Sequence, residues 1–235
     1  MFRKPVFRKF VGAGAAALIA GLAVAGCSPI EMGAAAIVGD QPITLANLNT
    51  SVVQLSQGVS KYPGVVSLTQ QQITQQALSW LIRFRINDQL ASQDGITVSH
   101  AQAQTALDQV VSSAEQQAQQ SGVTNASQEL ILVANGIPPA MGYELGRYEA
   151  IETAYLTRLN GGTLPSSASS SQATQLENEL SHAQCLAAKS LKIKVNPQYG
   201  RLDYTNYSVV TAADTVSRPS GKAQTASVAG LTPAC

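Results

Sequence analysis

Residues 70–92 read QQQITQQALSWLIRFRINDQLAS and carry the strongest helix signal in the sequence. Their apolar residues recur at three- and four-residue steps, so they share one face of an α-helix. Thr69 is suited to cap the start of this helix and Gly95 to end it. The stretch therefore predicts a long amphipathic helix around which a mostly helical fold packs. Its apolar face comprises Ile73, Ala77, Trp80, Leu81, Phe84 and Leu90.

The same periodicity predicts five further helices, which makes about six in all. Ser99 and Gln102 form a capping box before one of them. A Gly/Ser-rich stretch at 160–172, NGGTLPSSASSSQ, has the composition of a flexible linker. The predicted helices cover about 45–57, 100–120, 127–134, 140–159 and 173–190.

Two short strands are predicted at the two ends of this helical region. Residues 35–38 are apolar and partly β-branched, and Gly39-Asp40 follows them as a turn. Residues 191–195, LKIKV, alternate apolar with charged side chains, as a half-buried strand does. From 211 to 235 the sequence consists mainly of small and polar residues and predicts a disordered tail.

The first 26 residues differ in charge from the rest. The formal net charge is +1, from 15 basic and 14 acidic residues, but four of the bases and none of the acids lie in this leader. The remainder carries 11 basic and 14 acidic side chains, a net charge of −3. A mildly acidic body argues against nucleic-acid binding, which needs a basic face.

The leader has the features of an export signal that ends in a lipidation site. A basic segment, residues 1–10, precedes an uncharged apolar run at 11–25. That run is about 22 Å long as a helix, too short for the ~30 Å hydrocarbon core. Val24-Ala25-Gly26-Cys27 resembles a bacterial lipobox, so we expect a signal peptide at 1–26 and a lipid anchor on Cys27. Residues 27–34 would form a tether on the extracytoplasmic side of the membrane.

The residues needed for common catalytic and cofactor sites are scarce. A triad base could come only from His100 or His182, and neither lies near a nucleophile motif. The sequence also lacks a phosphate-binding loop and a zinc-protease motif. We therefore expect no catalytic residue, metal, nucleotide or other cofactor. His100 is predicted to be a solvated residue in the first turn of its helix.

The acidic residues of the 140–159 helix are interpreted as surface ion-pair partners of the arginines beside them. These acids are Glu144, Glu149 and Glu152, and the arginines are Arg147 and Arg158.

Cys185 leaves three interpretations open. A small buried apolar residue is favoured over a nucleophile paired with His182, which lies three residues earlier. Because an exported chain meets oxidising conditions, a Cys185–Cys235 disulfide is the third interpretation.

Three short motifs give a resemblance to a known family. AAIVGDQPIT at 35–44, ITVSH at 96–100 and KVNPQYG at 194–200 occur in the order found in the helical domain of SurA N-terminal-domain chaperones and PrsA-type foldase lipoproteins. The sequence resembles this family over roughly 34–205, and most of all its actinobacterial lipoproteins. The resemblance implies a helical module, 35–159 and 173–210, whose first and last strands pair.

The sequence departs from the foldases at the 160–172 linker, where they usually insert a parvulin prolyl-isomerase domain. Thirteen residues cannot hold that domain, so isomerase activity is not expected. What the resemblance still implies is an ATP-independent holdase for newly exported polypeptides. A structural lipoprotein that docks one dedicated envelope partner is the alternative. Candidate client contacts are Trp80, Phe84, Met141, Tyr148 and Tyr155, although each also fits a core position.

Overall fold

The computed structural model describes residues 33–211 and Cys235, and within this part six α-helices dominate. The prediction of a mostly helical fold is thereby confirmed. The signal peptide, the lipobox at Cys27 and nearly all of the predicted tail lie outside the described residues. The helices are α1 Leu45–Lys61, α2 Gln70–Gln93, α3 His100–Gln120, α4 Gln128–Ala134, α5 Gly142–Leu159 and α6 Ser170–Ser190.

Hydroxyl side chains cap five of these helices. Thr44, Thr69, Ser99 and Ser127 each accept a hydrogen bond from a backbone N–H of the first turn, as predicted for Thr69 and Ser99. Thr69 and Ser99 each complete a capping box with a glutamine three residues later. Ser169, which the sequence analysis assigned to the linker, caps α6 in the same way.

The segment between α5 and α6 is shorter than predicted, because α6 begins at Ser170 and not at 173. The Asn160 side chain donates to the carbonyl oxygen of Thr163 at 3.2 Å and accepts from Gln172 at 2.5 Å. Pro165–Ser167 adds a short 3₁₀ turn. Local hydrogen bonds thus fix a stretch whose composition suggested only a linker. Helix α1 also runs four residues beyond its predicted end.

The two ends of the helical region meet in a three-stranded antiparallel sheet. β1 (Ala34–Val38) lies in the centre, with β2 (Gln41–Thr44) on one side and β3 (Lys194–Val195) on the other. The predicted pairing of an N-terminal with a C-terminal strand is confirmed. β3 has two residues and not five, because Leu191 caps α6 and Lys192 has a φ of 46°.

A second hairpin, β4 (Arg201–Asp203) with β5 (Ser208–Val210), was not predicted. Its three-residue strands are too short to show an alternating pattern. The hairpin packs on α2, where the backbone N–H of Val209 donates to the buried Ser79 hydroxyl at 2.8 Å. Gly200 is required at its entry, because its φ is +127° and a Cβ there would lie 2.2 Å from the Val210 carbonyl oxygen.

Helix α2 is the centre of the main core. Leu78, Ile82 and Ile86 are buried between the three-stranded sheet, α6 and the β4–β5 hairpin. On its other side α2 contacts α5, which crosses α3 closely at Gly146. A Cβ at Gly146 would lie 2.2 Å from the Ala103 carbonyl oxygen, so the close contact needs glycine. This packing leaves one side of α3 and α4 free to form a groove.

Candidate functional site

An apolar groove lies along α3 and α4, and we name it the α3–α4 groove. It consists of two adjoining cavities, of about 460 and 270 Å³. Because the two cavities have lining residues in common, they form one continuous depression. The shared residues are Ala114, Gln117, Ile131 and Asn135.

The larger cavity is lined by Trp80 of α2 together with aliphatic residues of α3, α4 and α5. The Trp80 indole N–H donates to the carbonyl oxygen of Asn135 at 3.2 Å. This bond orients the ring toward the end of α4. Leu132, Ile137 and Leu145 of this lining belong to a small buried cluster that also includes Leu107.

The smaller cavity opens between the C-terminal half of α3 and helix α4. Val65 and Val123 line it and are 57% and 38% exposed, which is high for valine. Ala118, Ala126 and Leu130 complete its apolar lining. The groove therefore presents aliphatic surface to solvent at one end and an indole ring at the other.

At the indole end of the groove, Trp80 packs in a cluster with the rings of Phe84 and Tyr148. Trp80 lies 5.6 Å from Phe84 and 6.1 Å from Tyr148 between ring centroids, and Phe84 and Tyr148 are also 6.1 Å apart. The Arg83 guanidinium lies 4.8 Å from the centroid of the Trp80 ring, close enough for a cation–π contact. Its Nη2 also donates to the carbonyl of Asn206 at 2.8 Å.

Glu149 is the one ionisable residue among those that line the two cavities. Burial, and to a smaller extent the neighbouring Glu152 carboxylate, together raise the pKa of its carboxyl to about 7. Within residues 33–211 the Glu149 carboxylate has no ion-pair partner within 4.0 Å. A half-buried carboxylate therefore faces an otherwise uncharged apolar groove.

Glu152 lies behind Glu149, in a polar network that joins α2, α5 and α6. Gln184 donates to its carboxylate at 2.6 Å, and burial raises the pKa of Glu152. Asn87, which is buried, donates to the carbonyl oxygen of Tyr148 at 2.9 Å. Burial also raises the pKa of the Tyr148 phenol.

The ion pairs predicted within α5 are wrong. Arg147 pairs with Asp88, and Arg158 pairs with Asp94 at 2.5 Å, so both arginines bind acids of the α2 region. The two aspartates are close to these arginines because α2 packs against α5. Sequence spacing can predict only pairs within one helix. Glu149 and Glu152 turn inward, and Glu144 remains exposed without an arginine within 4.0 Å in the described region.

The five predicted client-contact residues lie in four different places. Trp80 lines the groove, while Phe84, 9% exposed, and Tyr148 lie behind it in the aromatic cluster. Met141 packs against the small buried cluster that includes Leu107. Tyr155 packs with the main core and lies outside the groove lining.

Several residues of the groove, above all Glu149, were not predicted as site residues from the sequence. Val110 falls on the apolar face of α3, and periodicity alone does not distinguish a residue that lines a surface depression from one in the core. Ser113 and Gln117 are polar residues of α3, and their sequence pattern does not differ from that of an ordinary exposed helix face. The one available signal for Glu149 was its position among Leu145, Ala150 and Ile151. These neighbours are buried, which indicates that the glutamate lies near the inward face of α5.

Cys185 is bonded to Cys235, with 5.7 Å between their Cα atoms. It is therefore neither the small buried thiol that was favoured nor a nucleophile beside His182, which is exposed. His100 is exposed, as predicted, and its ring stacks on Tyr143 at 4.9 Å. The described residues contain no group of three His, Cys, Asp or Glu side chains that could hold a metal ion.

A larger cavity, of about 760 Å³, lies between α3 and α5, and small or polar residues make up most of its lining. The small or polar lining residues include Ala106, Ala150, Ala154 and Thr157. None of the lining residues is aromatic. Leu164 and Arg158 also line this cavity, and the Arg158 guanidinium is already paired with Asp94.

The described residues form a mostly helical module with an apolar surface groove. No protein-family model matches the sequence, and no curated protein or solved structure matches it at a significant level. Across residues 33–211, none of the helices is both long and apolar enough to span a bilayer.

Proposed function

We propose that this protein is a lipid-anchored, extracytoplasmic holdase that shelters apolar segments of newly exported polypeptides without ATP. The observation that carries the proposal is the α3–α4 groove. Its aliphatic and indole lining can bury the apolar side chains of an extended segment, and its few hydrogen-bonding groups demand no particular sequence. The exposed Gln117 and Asn135 add polar groups to the lining.

The location follows from the leader. A thioether-linked diacylglycerol on Cys27 would hold the module at the outer face of the membrane, where exported chains emerge unfolded. Incorporation of labelled palmitate into the wild-type protein, and its loss in Cys27→Ala, would support this anchor. Equal labelling of both proteins would contradict it.

The holdase activity is tested with the chain from residue 27 onward, carrying Cys27→Ser. Three unrelated client proteins are unfolded chemically and diluted, and their aggregation is followed by light scattering. We expect slower aggregation at a one-to-one ratio and no effect of added ATP. Protection of none of the three, together with one-to-one binding of a single envelope protein, would favour the alternative of a dedicated docking lipoprotein.

A further inference from the structure

The Glu149 carboxylate is placed where a bound segment would meet it. It lines the same cavity as Trp80, Val110 and Leu145, and the rest of the lining of both cavities is uncharged. Partial burial removes some of its hydration, and an unpaired charge in such a place raises the free energy of the empty groove.

The basic side chains around the groove each bind a group other than Glu149. Arg83 lies over the Trp80 ring and donates to Asn206, while Arg147 pairs with Asp88. Lys61, at the end of α1, pairs with Glu129. The described part of the protein thus provides Glu149 with no counter-ion of its own.

We propose that the α3–α4 groove selects apolar polypeptide segments that carry an arginine or lysine, and that this cation pairs with the Glu149 carboxylate. The inference rests on the proposed function and names its substrate class. The aliphatic stem of the basic side chain would pack along the apolar lining while its charged end reaches Glu149. The charge-assisted hydrogen bond would replace the hydration that the carboxylate lost on folding.

The pairing requires an ionised carboxylate, so it is pH-dependent. Tyr148 and Glu152 on α5 are the titratable groups near Glu149. Arg83 on α2 lies near Glu152, and α6 contributes the uncharged Gln184. The residues of α3 and α4 that line the cavity carry no titratable group. Since the pKa of Glu149 lies near 7, affinity for a basic segment should rise between pH 6 and pH 8.

The test uses two fluorescently labelled nonapeptides of leucine, valine and alanine with blocked ends and Gly-Ser flanks. One has a central arginine and the other citrulline, which has nearly the same shape but no charge. Fluorescence anisotropy gives their affinities for the wild-type protein and for Glu149→Gln. Glu144→Gln is the matched control, because it removes an exposed carboxylate from the same helix.

We expect the wild-type protein to bind the arginine peptide about tenfold more tightly than the citrulline peptide at pH 8. Glu149→Gln should remove this preference and its pH dependence, although Arg83, Tyr148 and Glu152 are unchanged. Glu144→Gln should keep both. Thermal unfolding of each variant verifies that it is folded.

Equal affinity of the wild-type protein for the two peptides would overturn this inference and leave the holdase proposal standing. A preference for arginine that survives in Glu149→Gln would also overturn it. If neither peptide binds and clients are not protected from aggregation, the proposed function fails together with the inference.

Discussion

Glu149 shows at the scale of one residue how a binding group can oppose folding. In the unfolded chain its carboxyl has an ordinary pKa of 4.5, and burial in the fold raises that pKa to about 7. Below pH 4.5 the carboxyl is protonated in both states. Above pH 7 it is ionised in both, and only the folded state suffers its partial desolvation. The free energy of unfolding therefore falls as the pH rises from about 4.5 to 7, because the carboxyl ionises in the unfolded chain before it does so in the folded protein.

Glu149→Gln should accordingly stabilise the fold at pH 8, by about 1–2 kcal/mol, with little effect at pH 4. Urea unfolding of the two proteins at both pH values measures the difference. The same variant is expected to lose its preference for basic peptides. An increase in the free energy of unfolding and a loss of this preference should therefore occur in one variant.

Destabilisation of Glu149→Gln at pH 8 would contradict this account. It would mean that the folded protein supplies a favourable partner for the carboxylate. Glu144→Gln again serves as the control and should change stability by less than about 0.5 kcal/mol, since Glu144 is exposed.

At the scale of the elements, side chains of α2 hold the β4–β5 hairpin by hydrogen bonds. The buried Ser79 hydroxyl donates to the carbonyl of Gln75 at 2.5 Å and accepts from the Val209 N–H at 2.8 Å. It thereby joins α2 to the β4–β5 hairpin. Without this acceptor the Val209 N–H would stay buried and unpaired, which is costly.

Ser79→Ala should therefore lower the free energy of unfolding by about 1–3 kcal/mol. Ser60→Ala is the matched control, because Ser60 makes the same bond to a carbonyl four residues earlier but is exposed and bonds no strand. We expect that control to change stability by less than about 0.5 kcal/mol. Equal losses in both variants, measured by urea unfolding, would contradict the assigned role of Ser79.

The sequence predicted the helices well because capping and periodicity are local. Thr69 and Ser99 mark their helices through bonds made within four residues. The β4–β5 hairpin escaped prediction because its stability depends on distant α2. The same limit hid the groove, since Trp80 and Glu149 are 69 positions apart and meet only through the packing of α2 against α5.

At the scale of the whole molecule, the Cys185–Cys235 disulfide links α6 to the last residue of the sequence. The two cysteines are 50 positions apart, so the bond restricts a long loop of the unfolded chain. Cys235→Ser should lower the free energy of unfolding by about 2–4 kcal/mol under oxidising conditions. Wild type and variant should become nearly equal in a reducing buffer. An equal stability of the two proteins without reductant would contradict the link.

The proposed role of a tethered chaperone-like protein rests on the α3–α4 groove, on the leader and on the net charge of −3 of the residues after it. The proposal requires that clients bind in the α3–α4 groove. Ser113 lines the groove, whereas Ser112, also exposed, is absent from its lining. Tryptophan can therefore be placed inside or outside the groove at adjacent positions of one helix.

The most direct test compares Ser113→Trp with Ser112→Trp in the client aggregation assay. We predict that Ser113→Trp fills the groove and loses most of the protection, while Ser112→Trp protects as the wild-type protein does. Both variants should unfold at nearly the wild-type temperature, because both positions are exposed. Full protection by a folded Ser113→Trp variant would contradict client binding in the α3–α4 groove.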